Sequence, residues 1–244
     1  MKTLVIIPCR LSATRLPGKP LLKVNGNSII SHVFKKAEKA NIGEVYVATE
    51  DTEIIEDVRK NGGQAILTSK NHKTGTDRIY EALKKLNKSD IELVMNLQGD
   101  EPLMNVGDIN NLYTQMVKFN SEIGTLASNI TDKNFYENQN VVKVITKKSL
   151  ETSQFPEAIK FSRNLSHSIK NTYHHLGIYC YRYETLKKFV TLNRSENEIS
   201  NKLEQLRALD NNININVALA KETPIGLDTA EDFVAIKKIM EYKT

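Results

Sequence analysis

Apolar positions along the chain fall into short continuous runs and stripes of 3.6-residue period, one following the other. Leu4 to Ile7 is a continuous apolar run that stops at Pro8, which predicts a buried strand. Ser28 to Ala40 places Ile29, Ile30, Val33, Phe34, Ala37 and Ala40 on one face with lysines opposite, an amphipathic helix. Glu44 to Thr49 reads as a second strand, and Glu50-Asp51 opens a helix through Ile54, Ile55 and Val58 that Gly62-Gly63 closes. Gln64 to Thr68 is a third strand, and this β-α-β-α-β order implies a parallel sheet with right-handed crossovers. A helix with Ile79, Ala82, Leu83 and Leu86 on one face follows. Ile91 to Leu97 is then a nearly continuous apolar strand, which places it centrally.

Val106 to Phe119 repeats the helical stripe, and Gly124 to Ile130 and Val141 to Thr146 read as strands. Between Ser149 and Lys170 the periodicity is poor, which leaves a helix or an insertion covering a site. His174 to Arg182 alternates clearly: Leu176, Ile178 and Cys180 point one way, and His175, Gly177, Tyr179 and Tyr181 the other. Tyr183 to Val190 and Glu198 to Leu209 are predicted helices. In the second, Leu203, Leu206 and Leu209 form the buried stripe, and Glu204, Gln205 and Arg207 face a cleft or solvent. Ile213 to Ala220 is a further strand, and the last helix carries Phe233, Ile236, Ile239 and Met240.

At 244 residues, 40% hydrophobic and 26% charged, the chain has the composition of a soluble globular α/β protein. No apolar run approaches the ~20 residues that cross a bilayer, and no signal-peptide pattern opens the sequence. Two cysteines, Cys9 and Cys180, are too few for a disulfide framework, so a cytoplasmic location is expected. The net charge of +5 favours acidic partners. Nucleic acid is not indicated, because the lysines are scattered over helices without interleaved aromatics.

Chemistry concentrates in the polar loops at strand ends. After the first strand come three cations, Arg10, Arg15 and Lys19, in a loop stiffened by Pro17 and Pro20 around Gly18. Fixed positive charge and free backbone N–H groups at the carboxyl end of an early strand point to a polyanion, most simply a nucleoside triphosphate. The spacing is neither a Walker loop nor G-x-G-x-x-G. The strand ending at Leu97 leads into Gln98-Gly-Asp-Glu-Pro102. There Asp100 is placed to hold Mg²⁺, which one or two carboxylates usually share with substrate phosphates, or to form the turn. Glu101 suits the role of helix-dipole partner. Thr74 or Thr76 can cap the helix that carries Ile79, Ala82, Leu83 and Leu86, and Arg78 is either a site residue or an ordinary helix cation. A strand face with His175, Tyr179 and Tyr181 suits a polyhydroxylated ligand as well as it suits plain strand propensity. Asp228 with Glu231, or Thr229 with Asp232, makes a capping-box pattern at the last helix.

Arg10 to Leu21 resembles R-x-x-x-T-R-L-P-G-K-P-L, the signature of sugar nucleotidyltransferases, and most closely the 3-deoxy-manno-octulosonate (Kdo) cytidylyltransferases. The resemblance continues, in order, through Thr74-Gly-Thr-Asp-Arg78, Gln98 to Pro102, Asn140-Val-Val-Lys-Val144 and Phe161-Ser-Arg163. It ends with His175 to Tyr179, Leu203-Glu-Gln-Leu-Arg207 and Gly226 to Asp232. It departs after Arg163, where Asn-Leu-Ser-His replaces an Ile-Pro-Trp type of continuation, and at Cys9, where Ala is common.

The resemblance implies a Rossmann-like α/β nucleotidyltransferase fold: a mixed, mostly parallel sheet in a single domain, with residues 125–195 as a sugar-binding or dimerisation part. It implies Arg10, Arg15 and Lys19 on the triphosphate, with Thr76, Arg78 and Gln98 also near the nucleotide. Lys19, Arg10 and Asp100 would be the catalytic set, and Asp100 and Asp228 would bind Mg²⁺. Gln98, Arg163, His175, Tyr179, Glu204 and Gln205 would contact the sugar. The implied reaction is attack of the Kdo anomeric hydroxyl on the α-phosphate of CTP, with loss of pyrophosphate and no covalent intermediate. Another 2-keto acid sugar, such as 8-amino-Kdo or a sialic-acid relative, is the alternative acceptor. The expected partners are CTP and an acidic keto sugar, in a homodimer.

Overall fold

The opening apolar run forms β1 (Thr3–Cys9), buried along its whole length, in the computed structural model, which describes residues 1–12, 15–131, 135–165 and 169–242. Thr14 of the loop motif, and Ser166 and His167 of the departing segment, lie outside the described residues. A 3₁₀ turn at Lys19–Leu21 and a hairpin of β2 (Lys23–Val24) and β3 (Asn27–Ser28) lead into α1 (Ile29–Ala40). All six apolar positions predicted for the α1 stripe are buried. Ser28 caps the helix, its hydroxyl accepting from Ser31 N at 3.1 Å, and Asn41 ends it at φ 51°, a left-handed conformation that asparagine tolerates.

The expected alternation follows as β4 (Glu44–Thr49), α2 (Thr52–Lys60), β5 (Ala65–Leu67), α3 (Gly75–Leu86), β6 (Leu93–Asn96) and α4 (Val106–Phe119). β1 pairs in parallel with both β4 and β6, and β4 with β5, so these four strands run in the order β5-β4-β1-β6. That register brings the carboxyl ends of β1 and β6 side by side, with Ile6 opposite Asn96. Loops leaving those two ends therefore share one edge, the usual ligand position in an open α/β sheet.

The residues up to Ile109 belong to one compact unit, to which the chain returns at Pro224; Asn110–Thr223 form a second. The second unit contains β7 (Ile123–Ser128), β8 (Lys143–Thr146), β9 (Ala158–Ser162), β10 (Thr172–Arg182), α5 (Tyr183–Thr191), α6 (Glu196–Asn201), α7 (Leu206–Asp210) and β11 (Ile215–Leu219). β7 is parallel to β11 and antiparallel to β10, and β8 lies antiparallel between β10 and β9. After Pro224 the chain ends in α8 (Ala230–Tyr242). The class is α/β with mixed pairing, as expected. The segment from Ser149 to Lys170, read as a helix or insertion, contains β9.

One helix departs from expectation. Glu198 to Leu209 is not continuous: α6 stops at Asn201, Lys202 turns left-handed at φ 52°, and α7 starts only at Leu206. The break turns Arg207 inward instead of toward a cleft or solvent. Its Nε and Nη2 both donate to the Glu198 carboxylate at 2.8 Å, and the two side chains are 3% and 1% exposed. Burial alone would raise the Glu198 carboxyl, but bonds from Arg207 and Arg194 outweigh it and hold the group below its ordinary value. Stability from this group is therefore present above the unfolded carboxyl value of ~4.3 and lost as the pH falls through the lower folded value. Glu198→Gln removes the charge that faces a buried guanidinium. It is expected to lower unfolding free energy by about 3 kcal/mol or more at neutral pH, measured by urea melts. An unchanged midpoint would show that the pair does not hold α6 to α7.

Candidate active site

The site in the first unit is built on the loop that follows β1. Gly18 sits at φ 72°, open to glycine without strain, and its N–H bonds back to the Leu11 carbonyl at 3.1 Å. This closes the loop and presents Lys19 at the head of the 3₁₀ turn, with Pro20 buried beneath it. Leu16 and Leu22 pack into a cluster with Val24, Ile29, Leu227 and Ile236. The basic loop and the Leu227-Asp228 segment are thus anchored in one apolar cluster. Asp51, expected to open α2 as an acid at its N-terminus, makes no side-chain cap; its carboxylate accepts from Leu11 N at 2.7 Å.

Lys19 is the centre of charge. Its ammonium lies 2.6 Å from Asp100 Oδ2, 3.2 Å from Asp228 Oδ1 and 2.6 Å from the Leu227 carbonyl. Arg15 Nη2 adds a bond of 3.0 Å to Asp228 Oδ2. Burial alone would lower the Lys19 pKa, but Asp100 and then Asp228 raise it, so the side chain stays charged. The two aspartates, 128 positions apart in sequence, are joined by backbone as well: Leu227 N donates to the Asp100 carbonyl at 2.9 Å.

The competing structural role for Asp228 is resolved. Thr229 Oγ1 accepts from Asp232 N at 3.2 Å, and Asp232 Oδ2 accepts from Thr229 N at 2.8 Å and from Asp228 N at 3.0 Å. The capping box of α8 is therefore Thr229 with Asp232. The Asp228 side chain is left to face Lys19 and Arg15.

These residues border a cavity of about 330 Å³ whose wall includes Arg10, Arg15, Lys19, Thr74, Arg78, Gln98, Asp100 and Asp228. Gly99 is closely packed there: a Cβ on it would crowd the Pro8 carbonyl and Cys9 Sγ, each at 3.1 Å. Gln98 is steadied by its Nε2 bond to Asn96 Oδ1 at 3.1 Å. Arg78 lies in the wall, but its guanidinium is held by Glu50 and by Thr68 Oγ1 at 2.6 Å. Thr76 is buried in α3 and is not among the lining residues; Thr74 is the cap, its hydroxyl accepting from Asp77 N at 3.2 Å. His72 and Lys73 also line the cavity, and Glu81 takes the His72 ring and Ser69 N at 2.9 Å. Sequence reading passed over Glu50, Asp51, His72 and Glu81. For Glu50, Asp51 and His72 the only cue was their place after strand ends, and Glu81, inside α3, offered none.

Glu101 is not a helix-dipole partner, because the next helix begins at Val106. Its side chain lies against Gly226, where a Cβ would come within 2.9 Å of Oε1. Its Oε2 is shut off from solvent without a hydrogen-bond partner. Burial, with the charges of Asp100 and Asp228, pushes its pKa up to about 8.

The second unit gathers the rest of the predicted set. Between Leu176 and Tyr179 the pairing of β10 with β7 shifts by a bulge, with Leu176 opposite Leu126 and Tyr179 opposite Thr125. Gly177 and Ile178 are the extra pair, so His175, Tyr179 and Tyr181 keep one face, as the alternation predicts. Their rings form a row from Phe161 through His175 and Tyr179 to Tyr181, with centroids 5.0, 5.5 and 5.9 Å apart. The Thr125 hydroxyl donates to the Ile178 carbonyl at 2.7 Å, so His175 Nε2, 3.0 Å from the same oxygen, is the donor in that contact. Burial and His174 lower the His175 pKa to about 3, which keeps the ring neutral with Nδ1 as acceptor. Burial, Tyr181 and Glu204 raise that of Tyr179, which stays a phenol. Gln205 is buried at the start of α7. Arg163 donates to the carbonyls of Gln139 at 3.1 Å, Asn201 at 3.3 Å and Lys202 at 3.5 Å. That leaves two of its five N–H groups for other use.

Residues 4–215 match the family described as Cytidylyltransferase. The chain belongs to that family. A relative from Nitrobacter winogradskyi, named 3-deoxy-manno-octulosonate cytidylyltransferase, is 41% identical over 98% of this chain and 94% of its own. One of the same name from Thermodesulfovibrio yellowstonii is 41% identical over 98% of both. A solved CMP:2-keto-3-deoxy-manno-octonic acid synthetase complexed with CTP superposes with a TM-score of 0.89 at 32% identity, covering all of both chains.

For a cytidylyltransferase built this way, Lys19→Met is expected to lower kcat about 10²-fold or more while the melting curve shows a folded protein. A near-normal kcat would remove Lys19 from the site. Separating ligand from cap takes two variants. Thr229→Ala should lose ~1 kcal/mol of stability and keep turnover, and Asp228→Asn should keep most stability and lose turnover. The reverse pattern would return Asp228 to a structural role.

Proposed function

We propose that this chain transfers CMP from CTP to 3-deoxy-D-manno-octulosonate, giving CMP-Kdo and pyrophosphate. The observation that carries this reading is the Lys19 ammonium set between Asp100 and Asp228 beside Arg10 and Arg15, at the carboxyl end of β1. Relatives that share most of the chain's length and carry that activity in their names support it.

In this reading Arg10, Arg15 and Lys19 receive the triphosphate, and Gln98 lies at the nucleotide. The anomeric hydroxyl of the sugar attacks the α-phosphorus in line and gives up its proton to solvent, while the bond to the β-phosphate oxygen breaks and pyrophosphate leaves. Positioning and charge neutralisation suffice, without a covalent enzyme intermediate. Lys19, charged throughout, neutralises the oxygens that gain charge as pyrophosphate leaves.

Asp100 and Asp228, with the Leu227 carbonyl, already share one cation, the Lys19 ammonium. Two carboxylates and a carbonyl are hard oxygen donors that fit Mg²⁺ completed by phosphate oxygens. The two aspartates would hold the ion, and bound there it would add positive charge on the triphosphate.

The acid sugar would be held in the second unit. Arg163 suits its planar carboxylate, and neutral His175, phenolic Tyr179, Glu204 and Gln205 suit its hydroxyls. No helix among the described residues is long and apolar enough to cross a membrane. We expect a cytoplasmic homodimer that supplies activated sugar for lipopolysaccharide.

Pyrophosphate release measured with four nucleoside triphosphates against several keto sugars tests the assignment. Release is expected with CTP and Kdo together. A larger rate with 8-amino-Kdo or a sialic acid would change the acceptor. No release from CTP with any sugar, alongside salt-dependent binding to DNA duplexes, would overturn the activity itself. Tyr179→Phe and Gln205→Ala should each raise KM for Kdo about ten-fold and leave CTP affinity unchanged. Weaker CTP binding in these variants would move the sugar pocket elsewhere.

A further inference from the structure

Lys143 is 0% exposed, among the largest fully buried side chains of the described residues, and lies on β8 between β10, which carries His175 and Tyr179, and β9, which ends one residue before Arg163. Its register partners are Ser162 on β9, one residue before Arg163, and His174 on β10, one residue before His175. All three of its N–H groups are used on backbone carbonyls: Asn138 at 2.9 Å, Val141 at 2.8 Å, and Arg163. The loop so gripped is itself bonded to the set. Val142 O accepts from His175 N at 2.9 Å, and Gln139 O accepts from the Arg163 guanidinium at 3.1 Å.

We propose that Lys143 is a positioning residue for the acid sugar. Its ammonium clamps residues 138–141 to the Arg163 carbonyl and so fixes Arg163 and His175 relative to each other. The inference rests on the proposed transfer to Kdo. An apolar side chain would fill the same volume, but it would take the ammonium donor from three carbonyls, of which Asn138 O would keep only its bond from Val141 N at 3.1 Å, and the loop would move to find water. Burial, and then the charge of Arg163, hold the Lys143 pKa below the ordinary lysine range. Keeping a cation there is costly, which argues for a task beyond filling space.

The test compares wild type, Lys143→Met and Lys143→Gln, assayed with CTP and Kdo below their melting temperatures. K143M is expected to raise KM for Kdo roughly ten-fold or more and to leave KM for CTP within about two-fold, the scale of a lost charge-assisted contact confined to one substrate. K143Q, which keeps two N–H donors, should show a smaller rise. In Lys143→Ala, added n-propylammonium should restore part of the Kdo affinity, and tetramethylammonium, which has no N–H, should not. Unchanged KM for Kdo in folded variants overturns the proposal, as does a parallel rise for both substrates or equal recovery with both amines. A wild-type enzyme that releases no pyrophosphate from CTP with Kdo overturns the substrate reading and this inference together. An active wild type with indifferent variants overturns the inference alone.

Discussion

One ammonium organises the cavity in the first unit of this protein. Lys19 meets Asp100 from the loop after β6 and Asp228 from the approach to α8, and takes the Leu227 carbonyl between them. Without that cation two carboxylates from distant parts of the chain would face each other across a partly buried cavity, and like charges so placed repel strongly. The cost is visible at Glu101, whose carboxyl, next to both aspartates and out of water, favours its protonated form up to about pH 8. Everything around Lys19 serves to fix it: the left-handed Gly18, the buried Pro20, and the leucines on either side that share a cluster with Leu227. Such a place suits a site that must exchange one positive partner for another when phosphates arrive.

The second unit solves a different problem, presenting polar groups from an otherwise buried strand. A two-residue bulge in β10 keeps His175, Tyr179 and Tyr181 on one face, and the Thr125 hydroxyl donates to the Ile178 carbonyl within it. The neighbouring strands are tied by Lys143, and the Arg207–Glu198 pair ties α7 to α6. Both devices bury charge. Each is stable because close acceptors take its donors, three backbone carbonyls for Lys143 and the Glu198 carboxylate for Arg207.

Periodicity made most of the fold legible. The α1 stripe, the order of strands and helices, and the alternation on β10 all follow from apolar spacing, because burial on one face is what those elements need. What periodicity missed has a common cause. The helix written across Glu198 to Leu209 breaks at Lys202 because tertiary pairing of Arg207 with Glu198 outweighs local helix preference. Asp51 and Glu50 looked like helix-start acids, and they act at long range on Leu11 and Arg78. The two capping-box patterns at α8 were equivalent as spelling, and only the bonds of Asp232 separate them. Charged residues with two plausible local uses are decided by partners far along the chain, which local pattern does not contain.

We propose that Lys19 holds Asp100 and Asp228 ready for a metal-bound triphosphate. The most direct measurement is a crystal structure with CTP and Mn²⁺ recorded at the manganese absorption edge. The expected result is an anomalous peak bonded to carboxylate oxygens of both aspartates and to phosphate oxygens, with the Lys19 ammonium turned from the aspartates to the triphosphate. A peak away from Asp100 and Asp228, with Lys19 still bridging them while CTP is bound, would contradict it.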